Sequence, residues 1–283
     1  MTGIGIMQGR LLSPVDNRIQ CFPRDNWAKE FALAAQAGLD SIEWIYDLYG
    51  ADINPISTDA GIDKMRALSA QHGVKVFSVC ADYFMDRPLM RANASELEER
   101  LSTLAWLMHR CRRLSINRIV LPFVDSSRID TDAEIDSVVL TLKRALRMAN
   151  ETGIEIHLET SLPPSKFAEL LAKFPHPMLK VNYDSGNSAS LGYDPYDEFA
   201  CYGTRVGSVH IKDRILRGNT VPLGKGDGNF VALFDCLRNI GYSGDFILQT
   251  ARGVVGDEVA WAKQNRAFIL ALCCSNMVKK EVA

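Results

Sequence analysis

The sequence predicts an α/β fold, a single (β/α)8 barrel (TIM barrel) domain that spans residues 1–283. Eight short apolar segments alternate with longer helical patterns along the whole chain. Most of these segments are apolar on both faces, which is typical of parallel strands covered by helices. Divided among eight strand–helix units, the 283 residues give about 35 residues per unit, and barrels of this type have ~250 residues.

The eight predicted strands are short, and no linker or low-complexity tract separates them. In chain order they are residues 4–8, 41–45, 75–81, 118–123, 154–160, 179–184, 206–212 and 245–250. A doubly wound open sheet is the main alternative, and a dinucleotide-binding sheet would place a glycine fingerprint after an early strand. The first turn, Gln8-Gly9-Arg10, carries no such fingerprint, so the barrel is favoured.

Helices are predicted between the strands because apolar residues recur there every three or four positions. One such apolar face runs through residues 97–111. The spacings Ser95-x-x-Glu98 and Thr131-x-x-Glu134 indicate capping boxes at two helix starts. Glycines after helical segments predict helix ends in the left-handed conformation. There are three of these glycines: Gly38, Gly73 and Gly153.

Composition and charge exclude several classes of protein. With 32 basic and 34 acidic residues the net charge is -2, whereas nucleic-acid-binding proteins usually carry a basic excess. The N-terminus lacks a secretion signal, and no stretch of ~18 apolar residues indicates a membrane span. Seven scattered cysteines without a Cys-x-x-Cys pair indicate buried thiols in a reducing cytoplasm. We therefore expect a cytoplasmic protein that binds neither nucleic acid nor membranes.

Four polar side chains follow apolar stretches at the ends of the last four predicted strands. They are Glu159, Asp184, His210 and Gln249. In a barrel the carboxyl ends of the strands carry the active site, so these groups would converge near the barrel axis. Two carboxylates, an imidazole and an amide oxygen suit one divalent cation, such as Mn²⁺, Mg²⁺, Co²⁺ or Zn²⁺. The alternative for each residue alone is a helix cap or a solubilising loop residue.

Several phrases of the sequence occur in the order found in a known family of sugar enzymes. In chain order they are GIMQGRL, GLDSIEW, Leu-Glu-Thr at the end of strand five, YDSGN, HIKD and GKGDGNF. From about residue 3 to 270 the chain therefore resembles the sugar phosphate isomerase/epimerase family, which has the xylose-isomerase-like TIM barrel. The resemblance implies a divalent metal ion held at the positions of Glu159, Asp184, His210 and Gln249. It also implies ketose epimerisation or aldose–ketose isomerisation.

Two positions depart from that family's pattern. Its ketose 3-epimerases have a second glutamate where this chain has Gln249, and usually a histidine where it has Asn187. In those epimerases the two glutamates act on opposite faces of the substrate carbon. Gln249 can coordinate a cation through its carbonyl oxygen but cannot accept a proton at ordinary pH. The departure puts a symmetric two-base epimerisation in doubt.

The candidate residues permit proton abstraction beside a sugar carbonyl, with the resulting enediolate stabilised by a metal ion. Glu159 is the predicted base, in an isomerase with one base or with a second acid from elsewhere. His157 lies on the same face of strand five and can orient Glu159; the alternative is a histidine packed in the barrel interior. Lys212 can neutralise an oxyanion or hold a phosphate, or instead pair with Glu159 or Asp184.

Five further residues are candidates for binding the substrate, a small sugar or sugar phosphate. They are Gln8, Arg10, Glu43, Asn187 and Arg217. Gln8 and Arg10 follow strand one, and a guanidinium suits a carboxylate or phosphate. Glu43 ends strand two and can bind hydroxyls or act as a second acid; alternatively it pairs with Arg10 or Lys75. A homodimer is compatible with an exposed barrel face.

The leading function is a metal-dependent isomerase or epimerase that acts through an enediolate. One alternative is a dehydratase, in which the same enediolate expels a neighbouring hydroxyl. Another is a barrel that binds a sugar without turnover, because Gln249 replaces the second glutamate of the family. A DNA-repair endonuclease on a related barrel would need more histidines and carboxylates than this chain, with its five histidines, provides.

Overall fold

Eight parallel strands close into a barrel in the computed structural model, which describes residues 3–274. The barrel strands are β1 (Ile4–Met7), β2 (Ser41–Ile45), β3 (Ser78–Cys80), β4 (Arg118–Phe123), β5 (Glu155–Thr160), β6 (Leu179–Asp184), β7 (Val206–Ile211) and β10 (Phe246–Leu248). Two short strands, β8 (Asp213–Arg214) and β9 (Thr220–Val221), form an antiparallel hairpin after β7. The predicted (β/α)8 barrel is confirmed, with β1 paired to both β2 and β10.

Helices alternate with the strands and cover the outside of the barrel. Within residues 3–274 they are α1 (Lys29–Ala37), α2 (Asp59–His72), α3 (Tyr83–Asp86), α4 (Ala94–Arg113), α5 (Asp132–Thr152), α6 (Pro164–Ala172), α7 (Ser185–Leu191), α8 (Pro195–Tyr202), α9 (Phe230–Asn239) and α10 (Glu258–Cys274). None of these helices is both long enough and apolar enough to span a bilayer.

Three of the eight strand predictions match the structure to the residue, and the other five are too long. The bounds of β2, β4 and β6 match the prediction, whereas the third predicted strand, 75–81, shrinks to Ser78–Cys80. Before it, Lys75 makes only an isolated bridge to Ser41. The first strand ends at Met7 because Gly9 turns the chain with a positive φ of 81°.

The helices begin and end at the predicted capping boxes and glycines, with one correction. The three predicted glycines have φ values of 74°, 69° and 71° and end α1, α2 and α5. Thr131 and Glu134 form the predicted capping box of α5. At α4 the box consists of Asn93 and Glu96 instead, because Glu98 reaches across to Arg144, with Oε2 accepting from Nη2 at 2.7 Å.

The prediction of buried cysteines holds for four of the seven. Cys21, Cys80, Cys111 and Cys236 are buried, and all seven thiols are free. The prediction is wrong for three exposed thiols. These are Cys201, Cys273 and Cys274. The last two lie in the final turn of α10, where the helix extends beyond the barrel contacts of Ile269.

Candidate active site

A cavity of about 510 Å³ opens at the carboxyl ends of the barrel strands. Its lining includes Arg10, Gln20, Asp82, Glu159, Lys212 and Gln249. This is the end of a barrel at which catalytic groups gather. The strand register brings the polar ends together, because Asp184 of β6 lies beside His210 of β7.

Glu159, Asp184 and His210 form a buried group that could hold a metal ion. Each offers one ligand atom, and these three atoms lie within 4.8 Å of one another. His210 Nδ1 is 3.2 Å from Glu159 Oε2 and 4.0 Å from Asp184 Oδ2. The three predicted ligands from β5, β6 and β7 therefore converge as the sequence indicates.

The other ring nitrogen of His210 is held by Glu43. His210 Nε2 lies 2.6 Å from Glu43 Oε1, and both side chains are fully buried. Burial lowers the pKa of His210, but the charges of Glu43 and Glu159 outweigh burial and raise it to about 10. Burial raises the pKa of Glu43, but the charge of His210 outweighs it, so the pKa is lowered. A carboxylate on the outer ring nitrogen is typical of a metal-binding histidine.

Glu159 is fixed by two asparagines. Its Oε2 accepts a hydrogen bond from Asn182 Nδ2 at 2.8 Å, and its Oε1 accepts one from Asn187 Nδ2 at 2.8 Å. Asn182 Oδ1 in turn accepts from the Ser208 hydroxyl at 2.6 Å. His157 Nδ1 lies 2.7 Å from Ser208 Oγ. His157 is thus connected to Glu159 through two intervening side chains and does not touch it directly.

Asp184 divides its two oxygens between a helix and the candidate metal group. It is the N-cap of α7, and its Oδ1 accepts from the backbone N–H groups of Gly186 and Asn187 at 2.9 and 2.8 Å. Its Oδ2 is directed at His210 and at Lys212, whose Nζ is 2.7 Å away. A Cβ on Gly186 would come within 2.6 Å of Lys212 Cγ, so this glycine permits the close approach of the lysine.

Gln249 does not contribute its oxygen to the carboxylate–histidine group. Its Oε1 accepts from Lys212 Nζ at 2.9 Å, and its Nε2 donates to Gln20 Oε1 at 3.0 Å. Gln20 Nε2 then donates to Asp82 Oδ2 at 2.8 Å. A continuous chain of polar contacts therefore runs across the cavity mouth from Asp184 to Asp82.

The three converging residues fit a divalent cation by donor type and by unmet hydrogen bonding. His210 Nδ1 is buried and makes no well-aligned hydrogen bond, which is costly unless a ligand satisfies it, whereas Asp184 Oδ2 is paired with the Lys212 ammonium. Two carboxylate oxygens and an imidazole nitrogen suit divalent cations such as Zn²⁺ or Mn²⁺. Since the raised pKa of His210 keeps its ring protonated, binding of a cation to Nδ1 would release a proton.

The predicted substrate-binding residues separate into two groups. Arg10 and Asn187 line the cavity. Gln8 and Glu43 are fully buried and lie outside its lining; Gln8 Oε1 accepts from the Ile45 backbone N–H at 2.9 Å. Arg217 is exposed and also lies outside the lining.

Three of the cavity residues missed by sequence reasoning hydrogen-bond other side chains of the site: Gln20, Asp82 and Arg214. Asp82 directly follows the predicted third strand, so the strand-end rule could have found it. Arg214 Nη1 donates to Asn187 Oδ1 at 3.1 Å, and the unpredicted β8–β9 hairpin places it in the cavity instead of Arg217. Gln20 lies in the loop after β1 and meets Gln249 across 229 positions of sequence, which no local pattern reveals.

The glycine-rich loop after the hairpin is bound to Asp213. Asp213 Oδ2 accepts from the backbone N–H groups of Gly224 and Gly226 at 2.8 and 2.9 Å, and Oδ1 accepts from that of Gly228 at 3.0 Å. Asp213 is fully buried. A Cβ at Gly226 or Gly228 would press on its carboxylate, which explains the glycine spacing in GKGDGNF.

Comparison with known proteins agrees with this architecture. Inosose dehydratase of Geobacillus kaustophilus (strain HTA426) is 26% identical over 163 residues, which are 49% of this chain and 53% of that protein. The match thus spans about half the length of that relative. The 2-epi-5-epi-valiolone 7-phosphate 2-epimerase of Actinoplanes sp. (strain ATCC 31044 / CBS 674.73 / SE50/110) is 23% identical over 217 residues, covering 75% of this chain and 77% of that protein.

A solved structure of the IOLI protein with a binding zinc atom has the same fold. It superposes with a TM-score of 0.77 at 16% identity, covering 95% of this chain and 98% of that chain. The family model described as xylose isomerase-like TIM barrel matches residues 31–272. The chain therefore belongs to the xylose isomerase-like TIM barrel family.

Proposed function

We propose that this protein is a divalent-metal-dependent isomerase or epimerase of a small sugar, sugar phosphate or sugar-derived keto compound. The single observation that carries the proposal is the convergence of Glu159, Asp184 and His210, with Glu159 lining the cavity. The epimerase and dehydratase activities named for the two relatives support chemistry of this kind. The zinc atom of the IOLI structure supports a metal in the same fold.

Glu159, Asp184 and His210 would hold the ion, whose identity among Mn²⁺, Mg²⁺, Co²⁺ and Zn²⁺ is open. When bound, such an ion stabilises negative charge on carbonyl and hydroxyl oxygens. Gln249 is not a ligand in this proposal, because Lys212 engages its oxygen.

Glu159 acts as the base that removes the proton next to the substrate carbonyl. It lines the cavity, and hydrogen bonds from Asn182 and Asn187 hold its carboxylate in one orientation. His157 is a positioning residue, acting on Glu159 through Ser208 and Asn182. The Lys212 ammonium lines the cavity beside Asp184 and can neutralise charge on a substrate oxygen.

Arg10, Asn187 and Arg214 would bind the substrate at the cavity wall. Burial and the charge of Arg252 lower the pKa of Arg10 to about 9, so its guanidinium is still mainly charged at neutral pH. Its hydrogen bonds go to Gln20 Oε1 and the Ile19 carbonyl.

The cytoplasmic location, the single domain and the homodimer expected from the sequence stay predictions. The ends of the predicted domain lie outside the described residues.

A dehydratase is the second candidate function, and the 26% identity to inosose dehydratase favours it. Both reactions begin with the same proton abstraction, but a dehydratase then loses a neighbouring hydroxyl as water. The conjugated product of dehydration absorbs ultraviolet light, whereas an epimer does not. Product absorbance therefore separates the two candidates.

The test is a screen of ketopentoses and ketohexoses, free and phosphorylated, and of inososes, in deuterated water with each of the four ions. We expect deuterium at one carbon beside the carbonyl of an accepted compound, read by proton NMR. Glu159→Gln should fold and lose turnover by a factor of roughly 10³ or more, because it removes the base. No exchange with any compound, or an active E159Q, would overturn the proposal; absence of bindable metal would favour the non-catalytic sugar-binding barrel.

A further inference from the structure

We propose that Asp82 is the second proton-transfer group of this site, and that it delivers a proton to the substrate carbon from the face that Glu159 does not reach. This inference rests on the proposed function and makes it an epimerisation. It also supplies a second proton-transfer group. Gln249 cannot fill this role, because an amide does not transfer protons at ordinary pH.

The position of Asp82 suits this role. Asp82 lies two residues after the end of β3, and Glu159 lies on β5, so β4 is the one strand between them. Both carboxyl groups line the cavity, as do Pro122 and Val124 at the end of β4. A substrate carbon held above the end of β4 would therefore have Glu159 on one side and Asp82 on the other.

The other acidic residues of the cavity are less suited to proton transfer. Asp47 accepts backbone hydrogen bonds on both oxygens, from Phe22 at 2.8 Å and from Gly50 at 3.1 Å. Asp86 and Asp125 are exposed at the rim. Glu43, the second acid considered from the sequence, is outside the lining and bound to His210. Among the acids of the described residues that line the cavity, this leaves Asp82 as the partner of Glu159.

The surroundings of Asp82 hold it in place and raise its pKa toward neutrality. Its Oδ2 accepts from Gln20 Nε2 at 2.8 Å, and its Oδ1 accepts from the Cys80 thiol at 3.1 Å. Burial, together with the nearby charges of Asp47 and Glu159, raises the pKa of Asp82 to about 6. The positive charge that faces it is Arg10. A carboxyl group that titrates near neutrality can serve as both donor and acceptor.

The proton transfers balance as follows. Glu159 takes the proton from the carbon, the C–H bond breaks, and its electron pair moves onto the carbonyl oxygen to give the enediolate. The O–H bond of Asp82 then breaks, and a new C–H bond forms on the opposite face as the electron pair returns. The substrate leaves as its epimer, with Glu159 protonated and Asp82 ionised. Exchange with water restores both groups.

The experiment separates loss of the substrate proton from inversion, using the sugar panel above in deuterated water with Mn²⁺. For wild type we expect the epimer carrying deuterium at the inverted carbon. Asp82→Asn should still exchange the proton of recovered substrate through Glu159, while epimer formation falls roughly 100-fold or more. Asp82→Glu should restore part of the inversion. Asp52→Asn, at an exposed position outside the cavity, is the control and should match wild type.

Three results would contradict the assignment in distinguishable ways. Inversion by D82N at the wild-type rate removes Asp82 from the reaction but leaves the proposed function intact. Equal loss of exchange and inversion in a folded D82N means that Asp82 only supports the site. Absence of exchange in wild type on every sugar overturns the proposed function and this inference together.

Discussion

The two halves of the barrel mouth use the polar residues of their strands differently. On the β5–β7 side, Glu159, Asp184 and His210 meet one another directly, and Glu159 lines the cavity. On the β1–β2 side, Gln8 follows β1 and Glu43 is the middle residue of β2, and both are fully buried and outside the cavity lining. There Glu43 contacts His210 and Gln8 contacts the backbone of β2.

The difference teaches that a polar residue on a strand, or just after it, does not by itself line the cavity. Side chains near the mouth can point into the cavity or pack beneath it against a facing residue. Glu43 packs beneath, against His210. On the β1–β3 side the polar lining comes instead from loop residues such as Gln20 and Asp82, which hold hydrogen bonds to each other.

Glu43→Gln has the largest expected effect. It tests whether Glu43, on the β1–β2 side, influences metal binding by Glu159, Asp184 and His210 on the β5–β7 side. It removes the negative charge that lies 2.6 Å from the histidine ring, which makes the imidazole a weaker ligand. We expect Mn²⁺ affinity to fall roughly 10- to 100-fold, as is usual when the partner of a metal-binding histidine is changed. Calorimetric titration measures it, with Glu99→Gln at an exposed position as the control. Unchanged affinity would mean that the two halves are independent.

Lys212→Met tests the contact that Lys212 makes with both Asp184 and Gln249. The ammonium lies 2.7 Å from Asp184 Oδ2, where its positive charge opposes a second cation. Its removal should raise Mn²⁺ affinity by about tenfold and lower turnover, because a substrate oxyanion loses its partner. Exposed Lys225→Met should change neither quantity. Weaker Mn²⁺ binding by K212M would show that the lysine supports the metal group.

Asn182→Ala tests how much the hydrogen bonds around Glu159 contribute to turnover. The base loses one of its two asparagine donors, so we expect kcat to fall about tenfold with little change in KM. Ser208→Ala, one contact further away, should have a smaller effect. Steady-state kinetics on an accepted sugar provide the comparison; a larger loss in S208A than in N182A would contradict this order.

Glu30→Gln has the smallest expected effect on activity, and it concerns the pH dependence of stability. Glu30 lies behind the β1 turn, accepting from the Gly9 backbone N–H at 2.6 Å, and burial raises its pKa from 4.5 to about 8. The folded chain thus retains a proton that the unfolded chain releases above pH 4.5, so the free energy of unfolding falls as pH rises to about 8. E30Q should flatten this decline in urea unfolding at several pH values; an unchanged slope would contradict it.

The sequence allowed the barrel and half of the site to be predicted because both follow from local patterns. Strand-length apolar runs predicted β2, β4 and β6 to the residue, and polar residues after such runs predicted the carboxylate–histidine group. The role of Gln249 could not be predicted in the same way. It depends on Lys212 and on Gln20, a loop residue distant in sequence.

Arg217 lies outside the cavity lining for a related physical reason. In the ordinary unit of such a barrel a strand leads directly into a helix. The chain instead folds back as β8 and β9, with a turn in which Arg217 has a φ of 54° and its N–H donates to the Ser190 carbonyl at 2.8 Å. A two-residue strand carries too little periodicity to be recognised in advance, yet it decides which guanidinium reaches the cavity.

The anchoring of the glycine-rich loop has a consequence for phosphorylated ligands. The amide groups of three alternate residues, which could cradle a phosphate, already surround the carboxylate of Asp213, so the protein carries its own internal anion there. A sugar phosphate would have to place its charged end elsewhere, among the guanidinium groups of Arg10, Arg18 and Arg214 that face the cavity. Recognition of such a ligand would then depend on side-chain cations and weaken steeply as ionic strength rises.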